Sequence, residues 1–456
     1  MEILQGLGYH NHALIHRTMK RCPKCRRDYH DDSLLYCLDD GSTLLEGPGS
    51  LDDTAILTAK PGSSDPTRLL ADRGRQALIG STKFGKNYKW GVIALAAILV
   101  TGLAAYVWYP KSTRKVPDGS FRSVGSPAYD YYLPGKLYSR SEDRDQNEKA
   151  IKILEDVVQA DPTFAPAHAE LARALSTRAN YWTPEAEKAG LYERAKILTE
   201  KSLALEPDLA EGHFMRGAII WTHADRFPHE QAVASLKRAI ALDPRLDEAH
   251  QQLGVIYSHI GLFERSEEEF KKTLEINPGN AVVRVRLGTL ELYRCEYAKA
   301  VAALKQVPPQ SSRAIVERSM AAALFNLGET EEASKIVEAY LAKYPDEGGN
   351  VTSVKALLLA RAGKQADAEA AIRRAIEIGQ GFQHFHHTTF NIACVYALLN
   401  DRENALKWLR YTADDGFPCY PLFEKDPNLN NLRNDEAFIS FMSQLRQQWE
   451  HNMANL

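Results

Sequence analysis

The sequence predicts an all-α protein, a solenoid of about seven to eight helical hairpins preceded by a small cysteine-containing module, a disordered linker and one transmembrane helix. Three observations support this prediction: prolines recur about every 34 residues, 20 consecutive residues carry no charge, and three of the six cysteines lie close together near the start. Repeats of this length are typical of solenoids, in which each unit buries its apolar face against its neighbours.

Composition excludes several classes of function. The chain has 456 residues and a formal net charge of -3, so it has no overall attraction to phosphate, and nucleic-acid binding is not expected. The sequence contains no nucleophile-elbow motif, no zinc-protease motif and no segment large enough for a further catalytic domain. We therefore predict that the protein is not an enzyme, has no catalytic residues and has no small-molecule substrate.

The clustered cysteines predict a structural zinc site. Two residues separate Cys22 from Cys25, and Cys37 follows after eleven more residues. Two residues also separate Cys37 from Asp40, so Asp40 stands where a second pair of this spacing would have its second cysteine. Zinc takes four tetrahedral ligands from thiolate, imidazole and carboxylate groups. So short a segment cannot bury a large enough apolar core and needs a bound metal to fold. Asp40 is the predicted fourth ligand, and His30 is the alternative.

This predicted zinc ribbon covers residues 19–46. Its CPxC and CxxDG patterns resemble the short zinc ribbons at the start of bacterial, especially acidobacterial, membrane-signalling proteins. Arg26 departs from the glycine that those ribbons often carry after the second cysteine. Because the motif opens directly at Met19, residues 1–18 are predicted to be disordered or to lie upstream of the true start.

A single transmembrane helix is predicted over residues 90–109. Twenty uncharged residues in a helix extend about 30 Å, the thickness of the hydrocarbon core of a bilayer. Aromatic rings mark both ends, and lysines stand just outside them. Residues 47–89, rich in Gly, Ser, Asp, Thr and Pro, are predicted to form a flexible linker before the span.

The orientation of the span is predicted from the ribbon. Five lysines and arginines before the span and four after it do not decide the matter. Thiolate ligands favour the reducing cytosol. We therefore expect a single-pass protein of a bacterial inner membrane, with the N-terminus in the cytoplasm and the repeats in the periplasm.

After a second predicted linker, residues 110–146, the chain repeats itself over residues 147–415. Several units end at a proline. Pro244 and Pro278 are 34 residues apart, and Pro278 and Pro345 are 67 residues apart, which is two units less one residue. In the unit that ends at Pro278, Gly254 of the first helix is expected to lie against Phe270 of the second, because two helices approach closely where a side chain is missing. A proline cannot continue the helix that precedes it.

These positions resemble the tetratricopeptide repeat (TPR) family. The resemblance implies two antiparallel helices in each unit and a concave groove that is lined by the first helices and binds a protein or peptide. If the register of the family holds, the groove-facing candidates are Arg173, Trp221, Gln251, Ser258, Tyr293 and Arg318. For the aromatic residues among them, packing between adjacent units is the alternative role.

Residues 416–456 are predicted to cap the array, and the last helix is expected at about residues 435–450. The segment resembles the tail that closes such arrays in bacterial kinase-associated proteins. His384, His386 and His387 precede a helix and are expected to have capping and packing roles, with a weak metal site as the alternative, because no second histidine follows at i+4.

Together these features predict a membrane-anchored, non-catalytic TPR scaffold or adaptor for a protein or peptide partner, with structural zinc as its cofactor. The alternatives are a metal- or redox-responsive sensor that acts through the ribbon, or a regulatory subunit of a kinase or secretion complex.

Overall fold

The computed structural model describes residues 19–21, 28–29, 45–47 and 121–456, the last range without 142, 184, 223–224 and 309–312. The chain divides into two compact units, Met1–Lys111 and Ser112–Leu456. No helix in the described ranges is long and apolar enough to cross a membrane. The predicted span, residues 90–109, lies outside the described residues.

The described part of the first unit is a small antiparallel sheet. Strand β1 (Met19–Arg21) lies between β2 (Asp28–Tyr29) and β3 (Leu45–Gly47). Lys20 is the central position, paired with Tyr29 on one side and Glu46 on the other. The predicted zinc ligands Cys22, Cys25, Cys37 and Asp40, and the alternative ligand His30, lie outside the described residues.

The second unit is an all-α solenoid. Its described residues form sixteen helices paired as eight consecutive hairpins, followed by two further helices. In chain order the helices are α1 (Pro127–Tyr138), α2 (Arg144–Ala160), α3 (Ala165–Trp182), α4 (Glu185–Leu205), α5 (Ala210–Ile220), α6 (His229–Leu242), α7 (Asp247–His259), α8 (Phe263–Ile276), α9 (Ala281–Tyr293), α10 (Tyr297–Leu304), α11 (Arg313–Leu327), α12 (Thr330–Leu341), α13 (Asn350–Arg361), α14 (Gln365–Gly379), α15 (His386–Leu398), α16 (Arg402–Asp414), α17 (Tyr420–Lys425) and α18 (Glu436–Asn455).

Glycines set the close approach of the two helices in several hairpins. A Cβ atom on Gly254 of α7 would lie 2.7 Å from the Phe270 ring of α8, and one on Gly217 of α5 would lie 2.8 Å from the Leu236 side chain of α6. The hydroxyl of Ser266 also donates to the carbonyl of Gly254 at 2.7 Å. The predicted contact between Gly254 and Phe270 is therefore confirmed.

The unit-ending prolines also anchor the helix that follows. Six residues after four of these prolines, a histidine ring nitrogen or an arginine lies 2.8–3.2 Å from the proline carbonyl oxygen. The pairs are His168 with Pro162, His213 with Pro207, His250 with Pro244, and Arg284 with Pro278. Each pair ties the end of one hairpin to the start of the next and so repeats with the period of the array.

The structure differs from the sequence prediction near the start of the array. Helix α1 lies inside residues 110–146, which the sequence predicts to be a linker, and its Tyr132 packs edge to face with Phe164, with ring centroids 5.1 Å apart. Pro134 inside α1 and its run of tyrosines obscure the helical period in the sequence. The predicted array at residues 147–415 therefore begins earlier, with a hairpin of α1 and α2.

The inner face of the solenoid is formed by the first helix of each hairpin. From α3 to α15, consecutive odd-numbered helices contact one another, whereas the even-numbered helices make no comparable contacts among the described residues. The odd-numbered helices therefore lie at the smaller radius of the curved array.

Helix α18 does more than cover the last hairpin. The Trp449 indole donates to the carbonyl of Gly261 at 3.0 Å, and the Tyr257 hydroxyl donates to a carbonyl oxygen of Leu456 at 3.1 Å. Arg265 donates to the carbonyl of Met453 at 3.0 Å. The end of the chain thus packs against the turn between α7 and α8, in the fourth hairpin, and closes the curve of the array.

Candidate partner-binding site

The six predicted groove residues lie on or beside the inner helices, and most of them are buried. Gln251 is half-buried. The exposed fraction is 2% for Trp221, 6% for Arg173, Ser258 and Arg318, and 7% for Tyr293.

Arg173 forms ion pairs with two glutamates of its own chain. Its guanidinium donates to Glu170 at 3.1 Å and to Glu248 at 2.7 Å, and it stacks over the Phe214 ring at 4.7 Å. Burial opposes the charged form, but Glu248 and Glu170 raise the pKa of Arg173 above its ordinary value. Arg173 therefore ties α3 to α7 and is already neutralised.

Trp221 packs inside an aromatic group. Its indole N–H donates to Nδ1 of His229 at 2.9 Å, and its ring centroid lies 5.1 Å from His259 and 5.7 Å from His384. Burial lowers the pKa of His229 to about 4, so this imidazole is neutral and accepts the bond. The alternative role of Trp221, packing between units, is the one that its contacts describe.

The far half of the groove is filled by the chain itself. The Tyr293 hydroxyl lies 3.3 Å from Nδ1 of His387, and its ring lies 5.2 Å from Phe417. The Cys419 sulfur lies 3.8 Å from the carbonyl oxygen of Ser258. The segments that begin and follow the last hairpin therefore pack against the inner face of α7 and α9.

A polar cavity remains on the inner face of α3 to α9. Its volume is about 210 Å³, and it includes two of the predicted residues, Trp221 and Gln251. Its other lining residues include Ser176, Asn180, Tyr192, Met215, Thr222, Gln252, Arg286, Gln383 and His384. The lining contains amides, hydroxyls and one arginine but no carboxylate.

Arg286 gives this cavity an uncompensated charge. No carboxylate in the described ranges forms an ion pair with it, and its Nε is buried without a hydrogen-bond partner. Burial, followed by the nearby charge of Arg318, lowers the pKa of Arg286. Because a buried charge without a partner is costly, an anionic ligand group here would gain a strong, charge-assisted interaction.

Arg286 was not among the residues predicted from the sequence. It lies seven residues, two helical turns, before Tyr293 on α9, so both side chains lie on one face of the helix. Gln251 and Ser258 on α7 are also seven residues apart, as are Arg286 and Tyr293 on α9. That spacing was the available signal.

Histidine rings form a second group deeper in the inner face. Burial lowers the pKa of His384 to about 3 and lowers those of His259, His386 and His387 well below their ordinary value. All four imidazoles are therefore neutral at physiological pH.

One hairpin matches the tetratricopeptide repeat family model, at residues 247–280. A stretch of 170 residues, 37% of the chain, is 26% identical to superkiller complex protein 3 of Mus musculus. This chain spans about a tenth, 10%, of the length of that relative.

Two solved structures that align with this chain are a tetratricopeptide repeat protein from Parabacteroides merdae and the yeast protein Tom70. The first is 16% identical, with a TM-score of 0.41, and the match covers 60% of this chain and 98% of that protein. Tom70 is 16% identical, with a TM-score of 0.36, and the match covers 74% of this chain and 67% of that protein. The family model identifies one tetratricopeptide repeat, which coincides with the hairpin of α7 and α8.

Proposed function

We propose that this protein is a membrane-anchored scaffold that binds a protein or peptide partner on the inner face of its solenoid, without catalysis. The cavity around Arg286 carries the proposal, because it is a concave polar site with one half-buried arginine whose Nε has no partner and with which no acid of the described residues is paired. The partner would supply a carboxylate, either an acidic side chain or a C-terminus. Neutral amides such as Gln251 and Gln252 would bind its backbone.

The six predicted residues have two roles in this proposal. Gln251 lines the cavity and would contact the partner, whereas Trp221, which is 2% exposed, supports the cavity wall through its packing between units. Arg173, Ser258, Tyr293 and Arg318 hold the inner face in shape through their contacts within the chain. Direct contact of these four residues with a partner stays a prediction.

Substitution of Arg286 tests the proposal. Peptides selected from a random display library on the full chain are expected to carry a carboxylate, and Arg286→Gln should weaken their binding at least about tenfold, because a buried charged pair is lost. Fluorescence anisotropy with the selected peptides measures the affinity.

Arg373→Gln is the matched control, because Arg373 is an exposed arginine on α14. Equal affinities for both variants, or selected peptides without any carboxylate preference, would contradict the proposal. A peptide that loses binding when its carboxylate is amidated would support it.

The anchor and the ribbon belong to the same proposal. Strands β1 and β2 stand on either side of Cys22 and Cys25 in the sequence, as the strands of a ribbon do around its first pair of ligands. The span over residues 90–109 would hold the solenoid at the inner membrane, with the ribbon in the cytoplasm and the solenoid in the periplasm. Deletion of residues 90–109 should release the protein from sedimented membranes, and retention after the deletion would refute the anchor.

A further inference from the structure

Four histidines from distant parts of the chain meet inside the second unit. His259 ends α7, His386 and His387 begin α15, and His384 lies just before α15. One ring nitrogen of each lies within 4.8 Å of the corresponding nitrogen of every other. His259, His386 and His387 are buried, and His384 is half-buried. We refer to these four residues as the histidine cluster.

Backbone carbonyls orient two of the rings. Nδ1 of His386 lies 2.7 Å from the carbonyl oxygen of Asp415, and Nδ1 of His259 lies 2.8 Å from that of Val255. A carbonyl only accepts, so each Nδ1 carries the proton and each Nε2 keeps a free lone pair. Metal-binding histidines are typically held in this way, with the second nitrogen donating to a carbonyl.

The free lone pairs face the interior of the cluster. Nε2 of His386 lies 3.3 Å from Nδ1 of His384. Nε2 of His259 is buried and has no hydrogen-bond partner. Aromatic packing alone leaves such an atom unexplained, because a buried polar atom without a hydrogen-bond partner destabilises the folded state.

Of the charged groups near the cluster, some oppose the binding of a cation and one favours it. Burial is the main cause of the lowered pKa of His384, and the positive charges of Arg286 and Arg318 lower it further; the same charges disfavour a cation at the cluster. The Asp415 carboxylate, 3.8 Å from Nδ1 of His386, supplies the opposite charge. The Tyr293 hydroxyl, 3.3 Å from Nδ1 of His387, can accept a hydrogen bond from a protonated Nδ1, which leaves Nε2 as the nitrogen with the lone pair.

We propose that the histidine cluster binds one tetrahedral transition-metal ion of the zinc type, held by four imidazole nitrogens. Tetrahedral zinc with bonds of about 2.1 Å separates its ligand nitrogens by about 3.4 Å, so small rotations of the side chains complete the site. With four protein ligands the site is closed, which makes it structural. The ion would join α7 to α15 and so lock the curve of the array.

The polar cavity provides a route for the ion. His384 lines that cavity and also belongs to the cluster. An ion that enters from the inner face therefore meets His384 first. This site is separate from the predicted ribbon, whose ligands are mainly thiolates.

Metal titration of the full chain tests the proposal, after Cys22, Cys25 and Cys37 have been replaced by serine to remove the ribbon site. Co²⁺ serves as the probe, and Zn²⁺ as its competitor. We expect one equivalent of Co²⁺ with a tetrahedral absorption spectrum and no thiolate charge-transfer band. His384→Gln should weaken binding about a hundredfold or more, whereas His213→Gln, which changes a half-buried histidine outside the cluster that is hydrogen-bonded to the Pro207 carbonyl, should not.

If the chain without the three ribbon cysteines takes up no metal, the proposal is overturned, and equal affinity of the two histidine variants would overturn it as well. If circular dichroism shows that His384→Gln does not fold, the metal titration of the chain that lacks only the ribbon cysteines decides whether the cluster binds metal. Metal binding there should also raise the thermal unfolding midpoint, because the ion binds the folded state.

Discussion

The buried groove residues show how one side chain changes its role with its surroundings. Arg173 and Arg286 are both arginines on inner helices, yet Arg173 lies between Glu170 and Glu248, while no acid in the described part of the chain pairs with Arg286. The identity of the residue is the same, and only the neighbours differ. A bound carboxylate would therefore gain more at Arg286, where no charge must first be displaced.

Asp426 provides a prediction for pH. It is 4% exposed, and burial raises its pKa to about 6. The pKa of Asp426 is lower in the unfolded chain, so the folded state binds more protons between about pH 4 and 6. The free energy of unfolding therefore falls as pH rises through that window. The contribution of Asp426 to this fall is about 3 kcal/mol at most.

Asp426→Asn should remove this part of the pH dependence, since the amide oxygen still accepts from the backbone of Asn428, as the carboxylate does at 2.8 Å. Urea unfolding at pH 4 and pH 7 measures the change. The variant should gain stability relative to the native chain at pH 7 and little at pH 4; an equal effect at both values would show that Asp426 does not titrate in this window.

The hairpins owe their geometry to pairs of positions in adjacent helices. Gly254 and Phe270 were predicted to meet because the spacing of small and large residues places them on facing sides, and the structure confirms this contact. The short α10, of eight residues, likewise follows from the early proline pair that the sequence shows after Val307. Such features depend on residues close in sequence and can be predicted.

Gly254→Ala is expected to destabilise the protein by about 1–3 kcal/mol, because the added Cβ would lie 2.7 Å from the Phe270 ring, which is fully buried. Gly190→Ala is the control: it changes a glycine inside α4 whose Cβ would meet nothing within 4 Å. The control should stabilise the protein by up to about 1 kcal/mol through helix propensity. Urea denaturation measures both, and a neutral Gly254→Ala would mean that Phe270 can move aside.

The whole array closes on itself, and this closure depends on residues far apart in the chain. Trp449 meets Gly261, and Tyr257 meets Leu456. The small rotation between each hairpin and the next accumulates over the array, and the sum brings α18 back to the turn after α7. The sequence predicts that α18 caps the array; it does not show that the cap reaches the fourth hairpin.

Trp449→Ala should open this closure and destabilise the protein by about 2 kcal/mol, since it removes a half-buried ring and its hydrogen bond to Gly261. Hydrogen exchange should speed up at both α18 and the turn after α7, although they are distant in sequence. Ile439→Ala changes a 54% exposed side chain of the same helix and should leave exchange unchanged at that turn. Faster exchange in α18 alone would show that the closure adds no stability.

The sequence by itself determined the hairpin array, its approximate period, the stops at the prolines and the small-to-large contacts, because each of these depends on residues within one or two units. It also predicts the ribbon and the span, through the spacing of Cys22, Cys25 and Cys37 and through the uncharged residues 90–109. The tertiary structure decided which inner residues are neutralised, that Arg286 is not, and that His259 meets the histidines of α15. Those outcomes depend on the curvature of the array, which sums many small packing angles and is not encoded at any single position.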